Sequence, residues 1–247
     1  MLITSVDNKK IKRYAMLKNS KARYKERLFL VEGMHLCYEA YKNNLLVDIL
    51  MLENTNISFN YDREITYVTE NILKKLSNLT TPSNIIGVCQ MMDNKEIIGN
   101  HLLILDDIND PGNIGTIIRS SKAFNVDTII LSDNSVDIYN DKVLRSTQGM
   151  LFNMNIIYGD LMDIIPKLRD NGYMILGTDV TNGEDVRDVK CSRYALIMGN
   201  EGNGVHEEIK NLCDKNLYIK MNSACESLNV GVATSILLYE LARGHDE

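Results

Sequence analysis

Between residues 102 and 221 six short apolar runs follow one another: LLILDD (102–107), TIIL (128–131), MNIIY (154–158), YMILGT (173–178), YALIMG (194–199) and LYIKM (217–221). Most lack polar alternation. A strand that shows one face to water alternates in type, whereas a strand covered on both faces does not. Stretches of helical character separate several of the runs, at 113–124, 140–151, 161–171, 205–212 and 228–243. Apolar strands interleaved with helices specify an α/β fold with a mostly parallel sheet.

Ahead of this block the order of types differs. A basic helix is expected over 7–27, followed by FLVEG (29–33), a helix over 34–43 and the strand VDILML (47–52). A short strand near ITYV (65–68), a helix over 70–77 and a strand near IIGVCQM (85–91) complete a small α/β unit. The charged stretch MMDNKEIIGN (91–100) reads as a linker, which divides the chain into domains at 1–92 and 101–247.

The whole chain has 247 residues, 45% hydrophobic and 24% charged, enough for a proper apolar core. The uncharged run from Ser227 to Tyr239 is too short to cross a bilayer, which needs about 20 residues. MLITSVDNKKIKRY has no apolar signal core, so export is not expected. Five cysteines (37, 89, 191, 213, 225), scattered and without a CxxC pair, fit a reducing, cytoplasmic setting better than a disulfide framework or a zinc site. The four histidines (35, 101, 206, 245) are dispersed, and His206 reads as a surface helix residue.

Charge is unevenly spread. Residues 1–30 carry nine Lys and Arg against Asp7 and Glu26, a net of +7, while the chain as a whole is at −6. A basic arm on an acidic protein is an electrostatic footprint for nucleic acid, with Lys9, Lys10, Lys12, Arg13, Lys21 and Arg23 as the candidate contacts. A solvated surface helix is the alternative.

In a parallel α/β sheet ligands bind beyond the carboxyl ends of the strands. Three of those ends stand out. LDDINDPGNIGTIIRS sets Asn113 between Gly112 and Gly115, with Arg119 six residues on; a helix N-terminus and an arginine both suit an anion. IMGNEGNGV (197–205) places Glu201 among three glycines, which permit close backbone approach to a ligand. ESLNVGVATSILLYEL (226–241) opens an apolar helix with Glu226, Ser227 and Asn229. Each has an ordinary structural reading as a turn, a glycine corner or a helix cap.

Together, N113-x5-R119, G199-x-E201-x2-G204, I219-x-M221 and E226-S-L-N229 resemble the three signature motifs of the SpoU family. These are RNA 2′-O-ribose methyltransferases of the SPOUT class. The stretch ITSVDNKKIKRYAMLKNSKARYKERLFLVEG resembles the family's ribosomal-protein-like substrate-binding domain, so the resemblance spans nearly the whole chain. It implies S-adenosylmethionine as methyl donor, RNA as partner (ribosomal favoured over transfer RNA), no metal and no membrane. It also implies a C-terminal trefoil knot, an exception to the rule against threaded chains. By resemblance Gly199, Ile219, Met221 and Leu228 line the donor pocket. Arg119 takes the catalytic role, as base or as electrostatic stabiliser, with Asn113, Glu201, Ser227 and Asn229 around it. The helix over 228–243 joins a homodimer interface, offering Ile236, Leu237 and Leu241. One departure is Lys220, where the family usually has proline.

Two other readings remain at this point. A non-catalytic RNA-binding protein would keep the fold without the chemistry, and the intact motif residues argue against it. A nucleotide-binding Rossmann enzyme would carry GxGxxG after its first strand, and here it is missing.

Overall fold

A computed structural model describes residues 2–93, 96–180 and 183–243. The chain divides into two compact units, Met1–Asp93 with Asp137–Asn153, and Asn94–Val136 with Met154–Glu247.

The first unit runs β1 (Leu2–Ile3), α1 (Lys9–Met16), α2 (Ser20–Glu26), β2 (Leu28–Glu32), α3 (Met34–Lys42), β3 (Leu46–Met51), β4 (Thr66–Val68), α4 (Glu70–Leu76) and β5 (Ile85–Gln90). Its five-stranded sheet has the order β1-β4-β3-β5-β2. Pairings of β4 with β1 and β3 are parallel, and those of β5 with β3 and β2 antiparallel. Ile11 and Tyr14 of α1 and Ile72, Leu73 and Leu76 of α4 pack on Leu50, Val68, Ile86 and Val88. The helix expected over 7–27 is two helices. Asn19 ends the first and caps the second, its side chain accepting from the Lys21 amide. An Asn that bonds backbone in this way competes with helix continuation.

The same unit takes in 137–153, which the sequence places between two strands of the other sheet. The Tyr139 and Phe152 rings pack in tilted geometry around Phe29 of β2, at 4.8 and 6.1 Å between centroids. Arg23 is buried; its guanidinium donates to the Leu17 and Lys18 carbonyls and pairs with Asp137.

The second unit begins with β6 (His101–Asp106), α5 (Pro111–Ala123) and β7 (Thr128–Ser132). After α6 (Asp141–Thr147), which belongs to the first unit, come β8 (Asn155–Gly159), α7 (Leu161–Asp170), β9 (Met174–Thr178), β10 (Glu184–Asp185), β11 (Tyr194–Gly199), α8 (Glu207–Lys210), β12 (Lys215–Tyr218) and α9 (Val230–Arg243). The seven strands lie in the order β10-β12-β9-β11-β6-β7-β8, and their pairings are parallel.

Both faces of this sheet are covered, which is why its strands do not alternate. Leu102, Ile104, Ile130, Ile175, Ala195 and Ile197 pack against Leu161, Ile165, Leu168 and Ile209 of α7 and α8. Leu103, Leu105, Ile129, Leu131 and Leu196, of opposite parity, are buried as completely. Residues 102–106 of the opening run thus become part of one interior strand, β6. The sequence missed β1 and β10, two residues each, because such strands exist only through their neighbours. Among the described residues no helix is long and apolar enough to cross a membrane. No group of three or more His, Cys, Asp or Glu among them is placed to hold a metal ion.

Candidate active site

At the carboxyl ends of β9, β11 and β12 a cleft of about 490 Å³ opens in the second unit. Its wall comes from three separate stretches: Thr178–Val180, the glycine loop Gly199–Val205, and the connection into α9 through Ile219, Met221, Ser227, Leu228 and Asn229. Met198, Leu217 and Leu237 add apolar surface, and Lys210 adds a cation. The expected donor residues Gly199, Ile219, Met221 and Leu228 all line this space, and so do Glu201, Ser227 and Asn229.

The glycine loop folds tightly on itself. The Gly204 amide donates to the Asn200 carbonyl at 2.8 Å, and the Gly202 amide to the Asn200 side chain at 2.8 Å. A Cβ at Gly199 would stand 2.1 Å from the Gly204 carbonyl carbon and the Val205 nitrogen. Gly199 is therefore required by the loop's own backbone, and Gly204, at φ +69°, by its turn.

The three motifs meet in a chain of hydrogen bonds at the mouth of the cleft. Asp110 caps α5, accepting from the Asn113 amide at 2.8 Å, and this sets Asn113 on the first turn. Its side-chain NH2 donates to Glu201 Oε1 at 2.6 Å. Its side-chain oxygen accepts from Asn229 Nδ2 at 2.9 Å. Asn229 Oδ1 accepts in turn from the Gly231 and Val232 amides, so Asn229, not Ser227, caps α9. Residues 88 and 116 positions from Asn113 in sequence share its one amide.

Arg119 stands apart from this chain. It is exposed on α5, does not line the cleft, and among the described residues no hydrogen bond or ion pair holds its guanidinium. Its helix packs on α9: Gly231 lies against Thr116, the Ser120 and Ser235 hydroxyls bond at 2.7 Å, and Phe124 meets Tyr239 edge-on. Leu237 and Leu241 are buried within this unit, correcting the expectation that they offer surface to a second copy. Val232 and Tyr239 are the exposed apolar residues of α9.

Asn200 and Asp106 were not singled out in the sequence, and His206 was read only as a surface residue. The Asn200 side chain donates to the Asp107 carbonyl at 2.9 Å. His206 is at the surface, as expected, but precedes the α8 helix as its N-cap and is bonded: its amide donates to Asp106 Oδ2 at 2.8 Å and its ring Nδ1 lies 2.9 Å from the same oxygen. Asp106 is 3% exposed, and its carboxylate holds the His206 pKa above the ordinary value by hydrogen bonding and charge. The one available signal was an acidic residue closing a strand otherwise built of Leu and Ile. His245 lies outside the described residues.

The basic arm is largely occupied with its own unit. Lys10 pairs with Asp48 at 2.7 Å, Lys12 with Asp7 at 2.8 Å and Arg13 with Glu26 at 2.6 Å, and Arg23 is the buried partner of Asp137. Lys9 and Lys21 are exposed, as is Lys25.

Residues 100–239 match the SpoU rRNA methylase family, and residues 8–87 match an MRM3-like substrate binding domain. The chain is 35% identical over 243 residues to the 23S rRNA (guanosine(2553)-2′-O)-methyltransferase RlmP of Bacillus subtilis, covering 97% of this chain and 98% of that one. It is similar in structure to the AdoMet-bound rRNA methyltransferase of Sinorhizobium meliloti, with a TM-score of 0.84, 26% identity, and 99% and 98% of the two chains covered. The SpoU methyltransferase AviRb of Streptomyces viridochromogenes, solved in complex with the cofactor AdoMet, aligns with a TM-score of 0.82 and 25% identity over 97% of this chain and 99% of that one. With a matching family model over most of the larger unit and a relative aligned from end to end, this chain is a member of the SpoU rRNA methylase family.

Proposed function

We propose that this protein transfers the methyl group of S-adenosylmethionine to a ribose 2′-hydroxyl of ribosomal RNA in the cytoplasm. The observation that carries the reading is the hydrogen-bonded chain Glu201–Asn113–Asn229. It joins the three family motifs at the mouth of a cleft sized for a small molecule. The relative RlmP, named for 2′-O-methylation of 23S rRNA, favours ribosomal over transfer RNA as the substrate.

The residues present fit the donor. Met198, Val205, Leu217, Ile219 and Leu228 give the apolar walls that a purine needs, and the backbone-rich stretches 178–180 and 199–204 give polar groups without bulk. When bound, the donor supplies a methyl group already activated on a positively charged sulfur. The protein's work is then to hold the 2′-hydroxyl in line and to lower the cost of its proton leaving. Glu201, Asn113 and Asn229 fix one another, and Ser227 offers a hydroxyl at the same mouth. Arg119, exposed and without a partner among the described residues, is free to meet the RNA. Its guanidinium charge suits it to stabilise the developing alkoxide.

Labour divides along the chain: residues 1–92 hold RNA and residues 101–247 perform the transfer. The C-terminal segment, with the helix over 228–243, is proposed to thread through a loop as a trefoil knot. The active form is a homodimer built through Val232, Ile236 and Tyr239 of α9.

Single-turnover transfer of labelled methyl from S-adenosylmethionine to transcribed 23S rRNA, with transfer RNA alongside, tests the proposal. Site-mapped 2′-O-methylation of the ribosomal substrate supports it. RNA binding with no transfer to either RNA would make this a non-catalytic member of the family.

A further inference from the structure

The glycine loop is tied down at both ends to one point, the carboxyl end of β6. At the near end the Asn200 side chain donates to the Asp107 carbonyl at 2.9 Å. At the far end His206 meets Asp106 through both its amide and its ring. Between these ties Glu201, Gly202, Asn203 and Gly204 are exposed, and Glu201 carries the carboxylate that orients Asn113. A loop with so little cover depends on its ends for its shape.

We infer that His206 is a positioning residue for methyl transfer, its protonated ring paired with buried Asp106 to clamp the glycine loop over the donor cleft. The inference rests on the reading of that cleft as the donor site. Asp106 is almost wholly buried and receives the His206 amide whatever the state of the ring. The ring adds a charge-assisted bond only when it is protonated. A neutral ring keeps a bond to Asp106 in just one tautomer, and in either tautomer it loses the attraction of opposite charges.

The charged groups that act on the ring are Asp106 and Asp107 from the end of β6 and Glu208 from α8, and each is acidic. All three favour the imidazolium, which is why the pKa is raised. The sign follows. The clamp is complete below the His206 pKa and weakens as pH rises through it. Donor affinity follows the same course, because donor binding and ring protonation favour the same closed loop.

The test is calorimetric binding of S-adenosylmethionine to wild-type, His206→Gln and His206→Arg proteins across about pH 6 to 9, with thermal melting of each as a control for folding. The donor's own amino group titrates in this range, so the readout is the ratio of affinities between proteins at each pH. The wild type should exceed His206→Gln by about 5-fold or more at the acid end, a modest coupling, and approach it at the alkaline end. His206→Arg, charged throughout, should keep its advantage over His206→Gln at both ends. A wild-type to glutamine ratio that does not change with pH overturns the inference and leaves the donor site standing. A wild-type protein that binds no donor at any pH overturns the reading of the cleft itself.

Discussion

Asn113 shows what a residue-scale reading of this sequence can and cannot reach. Its motif was legible because a polar residue between two glycines after an apolar strand is a strand-end signal. Its partners were not, since Glu201 and Asn229 are reached only through the fold. Arg119 is the sharper case: given its role by the family resemblance, it lies outside the cleft with no partner among the described residues. Arg119→Ala should therefore leave donor affinity intact, because neither the glycine loop nor the α9 cap touches it. Methyl transfer should fall by at least ~10²-fold, the low end for loss of a charge-stabilising donor. Arg119→Lys should rescue poorly, since a point charge does not reproduce the planar guanidinium fork. Single-turnover transfer to cognate RNA, with donor calorimetry alongside, decides the matter. Near-normal turnover in the alanine protein would remove Arg119 from the mechanism.

At the scale of elements, periodicity located strands and helices well where burial dictates residue type, and poorly where local bonds do. The central strands were visible because both faces are covered; the break between α1 and α2 turned on the single side-chain bond of Asn19. The glycine loop behaves likewise. Sequence reading gave Gly199 to the ligand, but its missing Cβ is demanded first by the Gly204–Val205 backbone. The expected outcome is correspondingly strict: Gly199→Ala, without any larger side chain, should abolish donor binding, because the Cβ itself collides. Calorimetry with a melting control would show it, and wild-type affinity in the alanine protein would mean the loop has slack. The basic arm is also changed by its internal pairs. Lys10→Glu should lower stability rather than RNA affinity, since Lys10 offsets Asp48, which is only 8% exposed. Lys9, Lys21 and Lys25 changed together to Glu should weaken RNA binding and reduce the salt slope by about one unit per cation. Equal affinity at moderate salt would reduce the arm to a solvated face.

For the whole molecule the question is what a helix as apolar as α9 does with the surface its own unit leaves uncovered. The resemblance together with the apolar character of the helix assigned Leu237 and Leu241 to a partner, but α5 and β11 come to α9 in the folded chain and bury both. What is left outside is Val232 and Tyr239, 46% and 48% exposed, with Ile236 half-buried between them. These positions recur at helical spacing and form one stripe. Tyr239 is already braced edge-on by Phe124, so the stripe is ordered before any partner arrives. Ordered aromatic surface at low entropic cost is what a stable contact draws on. A homodimer through this stripe predicts that Val232→Asp combined with Tyr239→Asp yields a folded monomer. Neither side chain belongs to the core, so melting should shift little while the mass halves. Leu237→Asp, by contrast, should unfold the second unit whatever the assembly state, because it buries an unpaired charge. Light scattering across a dilution series reads both. A wild-type mass of 28.0 kDa at every concentration would end the dimer proposal. A double mutant that stays dimeric would move the interface to another face.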